Sequence, residues 1–155
     1  MRVASMKYDV PIAVLYAVGL TETGRKGALH PFALNIEGRS VLANSRSEAL
    51  QHFATARASG AKLIDLGCMQ VNHHYHGDRF SSVSDMLDPG LNVSYAASFL
   101  RRLRDQHGSW TMAIARYHAG PNNNKAQKRY ICAVIGNLVK TGFGRWTPAS
   151  QQFCK

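Results

Sequence analysis

The feature that most constrains this chain is the unbroken run Pro11–Leu20, ten apolar or small residues with no charge. A helix of that length reaches about 15 Å, half of a bilayer core, so it cannot span a membrane. Arg2 and Lys7 precede it, as in the hydrophobic region of an export signal. Against that reading, Asp9 and Pro11 stand where a helix cap and first turn want them, and no small-x-small cleavage site follows. The run is read as a core helix from about Pro11 to Thr23, capped by Asp9 and stopped by Gly24, with any export signal expected outside this chain.

At 155 residues and 45% hydrophobic content, one compact domain is expected and disorder is not. Phe32–Ile36 and Arg39–Leu42 flank Glu37-Gly38, which predicts a short hairpin. Ser45-x-x-Glu48 opens a helix ending near Ser59 and Gly60, and Leu63–Leu66 returns as a third strand. Further helices are predicted over about Ser82–Leu87, Leu91–His107, Thr111–Ala119 and Lys125–Lys140. The fold class is α+β, mainly α, with a small hairpin or three-stranded element in a single domain, residues 1–155. Its core covers about 10–140, and 141–155 form a tail.

Nineteen basic residues against nine acidic ones leave a net charge of +10, which favours an anionic partner without choosing one. The three cysteines, Cys68, Cys132 and Cys154, contain no CxxC pair, so a structural zinc site is not expected. Cys132 and Cys154 are able to pair in an oxidising compartment and pin the tail, or all three stay reduced. His73, His74 and His76 are read as a solvated loop: on a strand only two would share a face, and only Asp78 stands near to complete a metal set. No metal and no cofactor are expected.

The carboxylates are few enough to assign one at a time. Asp9, Glu48 and Asp88 are placed to cap helices, Asp105 lies among Arg101, Arg102 and Arg104, and Asp78 and Asp85 fall in a polar connection. Glu22 stands apart. It shares the apolar face of Leu15, Val18 and Gly19, and it lies at the helix C-terminus, where the dipole opposes a negative charge. Burial and dipole together are expected to raise its pKa, leaving a glutamic acid able to protonate a leaving-group oxygen. The plainer alternative is a frayed helix end paired with Arg25 or Lys26.

Four segments in this order resemble the lytic transglycosylase family, the soluble lytic transglycosylase-like branch of the lysozyme superfamily. They are Glu22-Thr23 closing an apolar helix, Gly67-Cys68-Met69-Gln70-Val71, Asp88-Pro89-x-x-Asn92-Val93, and Ala115-Arg116-Tyr117-His118-Ala119-Gly120. The likeness covers about residues 10 to 140. It departs from the usual pattern at Thr23 for serine, Cys68 for leucine and His118 for asparagine. The long interval from Glu22 to Gly67 is similar to that of the small members associated with secretion, conjugation or flagellar assembly.

The resemblance implies a lysozyme-like fold acting on peptidoglycan glycan strands in the periplasm or cell envelope; a monomer is expected. Glu22 would be general acid and then base, cleaving between N-acetylmuramic acid and N-acetylglucosamine to leave a 1,6-anhydro end. Thr23, Gly67, Met69 and Gln70 would line the cleft. Tyr117 would bond near Glu22, with His118 beside it, and Tyr130 would stack on sugar or close the cleft. Met69, Tyr117 and Tyr130 are equally readable as core residues. Asp65 either stabilises the Gly67 turn or faces Glu22 and positions water, which would make a hydrolytic muramidase. A non-catalytic basic module binding glycan or nucleic acid is the remaining alternative; the basic residues are scattered rather than gathered on one recognition helix, so nucleic acid is not expected.

Overall fold

A computed structural model describes all residues, Met1 to Lys155. The chain is mainly helical with one small antiparallel sheet, as expected, and divides into two compact units, Glu22–Ala96 and Met1–Thr21 with Ala97–Lys155.

The first of these contains the sheet. Strands β1 (Ala33–Ile36), β2 (Arg39–Leu42), β3 (Ile64–Leu66) and β4 (Val71–Asn72) run in the order β2-β1-β3-β4. The hairpin pairs Ala33 with Leu42 and Ile36 with Arg39. Its turn residues Glu37 and Gly38 both have positive φ, 49° and 92°, the combination whose twist matches that of the two strands. Glu37 also accepts a hydrogen bond from the Lys62 N–H at 3.0 Å, tying the turn to the approach of β3. β1 then pairs β3 through Leu34–Leu66 and Ile36–Ile64. Leu34, Ile64 and Leu66 are buried with Met69, Met86 and Leu87, while Asn35, Asp65 and Asn72 sit side by side in register on the half-buried face.

Helix α3 (Arg46–Ala58) is capped by Ser45, whose hydroxyl accepts from the Glu48 N–H. Glu48 reaches back to the Asn44 N–H, one residue further than the usual reciprocal box. The three histidines lie not in a loop but on a single helical turn, α4 (His73–His76), capped by Asn72 and followed by a 3₁₀ turn at Gly77–Arg79. The short α5 (Val83–Met86) starts at Ser82.

The other unit opens with α1 (Arg2–Tyr8), which was not expected. Asp9 accordingly does not cap the apolar helix. It ends α1 in a left-handed conformation, φ 50°, and pairs with Arg101. The apolar run becomes α2 (Ile12–Thr23), with Leu15, Ala17 and Val18 fully buried. Helix α6 (Pro89–His107) contributes Ala97, Leu100 and Leu103 to this unit's buried set. Both helices continue across the boundary between the units. The buried face of α7 (Trp110–His118) comprises Ala113, Ile114 and Ala115, and Gln127, Tyr130, Ile131 and Val134 are buried on α8 (Asn124–Lys140). The tail forms α9 (Pro148–Cys154), opened by a Thr147–Ser150 capping box and fixed to α8 by a Cys132–Cys154 disulfide. No helix is long and apolar enough to cross a membrane.

Candidate active site

Helix α2 ends at Glu22 and Thr23. Glu22 is its penultimate residue and is half-buried; Thr23 is buried. The Thr23 hydroxyl donates to the Cys68 carbonyl at 2.8 Å and accepts from the His30 N–H at 3.3 Å. One hydroxyl therefore ties the end of the glutamate helix to the Gly67–Gln70 segment, 45 residues on. Both lie in the same unit, so the bond fixes the backbone that carries Glu22 relative to that segment.

Gly67–Gln70 is the loop of the β3–β4 hairpin. Its backbone has positive φ at both ends, 80° at Gly67 and 48° at Gln70. For Gln70 this conformation costs about 1 kcal/mol. The compensation is local: its N–H donates to the Gly67 carbonyl at 3.1 Å, and its side-chain amide donates to the Gly67 and Ala33 carbonyls at 3.1 and 3.2 Å. Gln70 is half-exposed, whereas Met69 is fully buried, so the methionine side chain packs beneath the loop.

Asn92 clamps the loop from below. It is fully buried, accepts from the Met69 N–H at 2.9 Å, and donates to the Leu66 and Met86 carbonyls at 2.9 and 2.8 Å. Gly67 must be glycine for space as well as for φ. A Cβ there would come within 2.6 Å of the Asn92 amide nitrogen and 2.9 Å of the Met86 carbonyl oxygen. Asn92 lies within the Asp88–Val93 motif, but nothing in the sequence marks it as this clamp. His30 was missed altogether; its Nδ1 is buried without a hydrogen-bond partner.

Asp65 projects from β3 and is half-buried. One oxygen accepts from the Asn72 side-chain amide at 2.7 Å. Burial pushes its pKa up, and the Asn72 hydrogen bond opposes that in part. The Cys68 thiol is also pushed up by burial and is inert as a nucleophile.

Tyr117, His118 and Tyr130 belong to the other unit. Tyr117, near the end of α7, is half-buried, its ring centroid 5.7 Å from that of Phe99. His118 has an exposed edge and stacks on buried Tyr130, with centroids 4.2 Å apart and planes within 2°. Desolvation against that ring, then the nearby Arg129 charge, lower the His118 pKa, favouring a neutral imidazole. No three His, Cys, Asp or Glu side chains are grouped to hold a metal ion.

Compared with known families, residues 1–133 match the family described as Transglycosylase SLT domain. No curated protein and no solved structure gives a significant match.

Proposed function

Because the chain belongs to the transglycosylase SLT domain family, whose members are lytic transglycosylases acting on peptidoglycan, we propose that Glu22 is its catalytic acid and base. In this reading the protonated glutamic acid gives its proton to the oxygen linking N-acetylmuramic acid to N-acetylglucosamine. The β-1,4 C–O bond breaks and an oxocarbenium-like centre develops at C1. The resulting carboxylate takes the proton of the muramoyl C6 hydroxyl as that oxygen closes on C1. The strand is left with a 1,6-anhydro end, no water is consumed, and Glu22 is protonated again. Ordinary glycosidases need two carboxylates at set separations. An internal nucleophile removes that need, so a single well-placed acid suffices.

The observation that carries the reading is the Thr23–Cys68 hydrogen bond, which holds the Glu22 end of α2 against the Gly67–Gln70 loop. Glu22 itself is half-buried, and Gln70, with its amide N–H groups bonded to the Gly67 and Ala33 carbonyls, lies half-exposed in the adjoining loop. By resemblance Tyr117 and His118 are also site residues; Tyr130, buried behind the His118 ring, backs that ring rather than stacking on sugar. A second reading rests on Asp65: its other carboxylate oxygen accepts no protein hydrogen bond and is able to hold a water for hydrolysis.

The substrate is peptidoglycan, and the site of action proposed is the periplasm or envelope, which the Cys132–Cys154 disulfide supports because such bonds persist in oxidising compartments. A secretion, conjugation or flagellar assembly complex is the proposed setting. The test is digestion of purified cell walls followed by mass spectrometry of the released muropeptides. Anhydro ends, one water lighter than hydrated ones, are expected from the wild-type protein. Glu22→Gln should release at least about 10²-fold less. Equal release by the two proteins would remove Glu22 from the mechanism.

A further inference from the structure

The +10 charge is not spread over the chain. The unit Glu22–Ala96 holds seven lysines and arginines against seven carboxylates and is neutral. The other unit holds twelve against two, which is the entire excess, and its two carboxylates, Asp9 and Asp105, are both paired with Arg101. No acidic residue follows Asp105.

The excess is densest on the α8–α9 hairpin. Lys125, Lys128, Arg129, Lys140, Arg145 and Lys155 are all exposed. Between and beside them three large rings face water: Phe143 at 53% exposure, Trp146 at 38% and Phe153 at 45%. The Lys128 ammonium lies over the Phe153 ring, 5.7 Å from its centroid. The disulfide holds α9 in place, so this surface is organised before anything binds.

We infer that the α8–α9 hairpin is a docking surface for an anionic phospholipid membrane, on which the protein rests without spanning. Charge alone would fit any polyanion. The rings decide among them: tryptophan and phenylalanine among lysines and arginines is the composition of a surface that enters the headgroup region, where the cations meet lipid phosphates and the rings meet acyl chains. Nucleic acid also stacks on exposed rings. The disulfide argues against it, because it belongs to compartments that face membranes rather than nucleic acid.

The test is co-sedimentation of the full chain with vesicles of phosphatidylglycerol and phosphatidylethanolamine, against vesicles of phosphatidylcholine alone. Binding to the anionic vesicles only is expected, weakening as salt is raised. Substituting glutamine at Lys125, Lys128 and Arg129 together should lower the partition coefficient by about 125-fold, roughly five-fold per charge. Trp146→Ser with Phe153→Ser should lower it about 10-fold or more. In a Trp110→Phe background Trp146 is the one tryptophan left, and its emission should shift to the blue on anionic vesicles. Circular dichroism of each variant separates lost binding from lost fold. Equal partition onto both vesicle types, or anionic binding unmoved by loss of the rings, overturns the proposal. So does retention of a single-stranded oligonucleotide at physiological salt that exceeds retention of anionic vesicles. None of these readouts depends on glycan cleavage, so the proposal and the catalytic reading fail separately.

Discussion

The Thr23 hydroxyl offers the sharpest test, because two substitutions differ there in one group each. Thr23→Ser keeps the oxygen and deletes a methyl from a buried site, which costs about 1 kcal/mol. Thr23→Val keeps the shape and deletes the oxygen. The Cys68 carbonyl, buried with its residue, then loses its donor, and the His30 N–H loses its acceptor. A buried carbonyl left unpaired costs about 1–3 kcal/mol, and the partly buried N–H, whose 3.3 Å bond is long, adds less because water can replace it. The loss for valine is therefore about 2–3 kcal/mol. With a urea slope of about 2 kcal/mol/M, its midpoint should fall by roughly 1 M relative to wild type and the serine variant by half of that.

Activity separates the two more strongly than stability does. The bond fixes the helix end that carries Glu22, so its loss should act on the placement of the acid. Both variants are to be assayed on purified cell walls at a temperature where urea curves show each fully folded. We expect kcat for Thr23→Val to drop about 10²-fold with KM little changed, since a misplacement near 1 Å is enough for a loss of that size. Thr23→Ser should stay within a few-fold of wild type. If valine and serine variants turn over equally, the hydroxyl does not position the acid and the argument built on it is wrong.

Gly67→Ala should destabilise by about 3 kcal/mol, from the left-handed backbone and the displaced Asn92 bonds. In an Asn92→Ala background the same change should cost less, about 2 kcal/mol, from the backbone conformation and the Met86 carbonyl contact that remains; additive costs in urea melts would show that Asn92 is not the obstacle. Replacing Cys132 and Cys154 by serine opens a closed loop with a sequence separation of 22, worth about 3 kcal/mol in the chain-entropy view. The calorimetric midpoint should fall by about 10 °C with wall cleavage retained; an unchanged midpoint would mean that α9 is held by packing alone.

Much of the architecture was legible because its signals were local. The Glu37-Gly38 turn, the Ser45 and Ser82 caps and the Gly60 and Gly108 stops act within a few residues, and each element formed within one or two residues of its expected place. What escaped depends on partners distant in sequence. α1 has only seven residues, too few to be stable alone, and the Asp9 that ends it also pairs with Arg101, 92 residues away. α9 shows no apolar period; its Thr147 cap, Pro148 and disulfide define it. The place of Glu22 at the end of α2 could be read from the apolar run and its expected stop. Asn92 could not, since its partners are backbone groups 6, 23 and 26 residues away, and backbone groups leave no trace in side-chain pattern.

Asp65 offers a test between the two proposed products. Most other carboxylates are committed to exposed turns or ion pairs: Glu37 to Lys62, Glu48 to Asn44, Asp88 to the start of α6, Asp9 and Asp105 to Arg101. Burial pushes the Asp65 pKa upward, and removing its charge has a definite sign. With the folded pKa above its ordinary 3.8, the folded state holds more protons in that interval, so wild-type stability falls as pH climbs through it. Asp65→Asn keeps a hydrogen bond to Asn72 after an amide flip and carries no charge. It should be more stable than wild type at neutral pH, and the gain should vanish below pH 3.8. An enzyme that closes the muramoyl C6 oxygen on C1 has no use for a water at this carboxylate, so the variant should release anhydro ends at a rate within a few-fold of wild type. A hydrolase would lose its hydrated product with the carboxylate. Muropeptide masses from Asp65→Asn therefore choose between the readings, and a variant that is more stable yet releases no anhydro ends would refute the one-carboxylate mechanism.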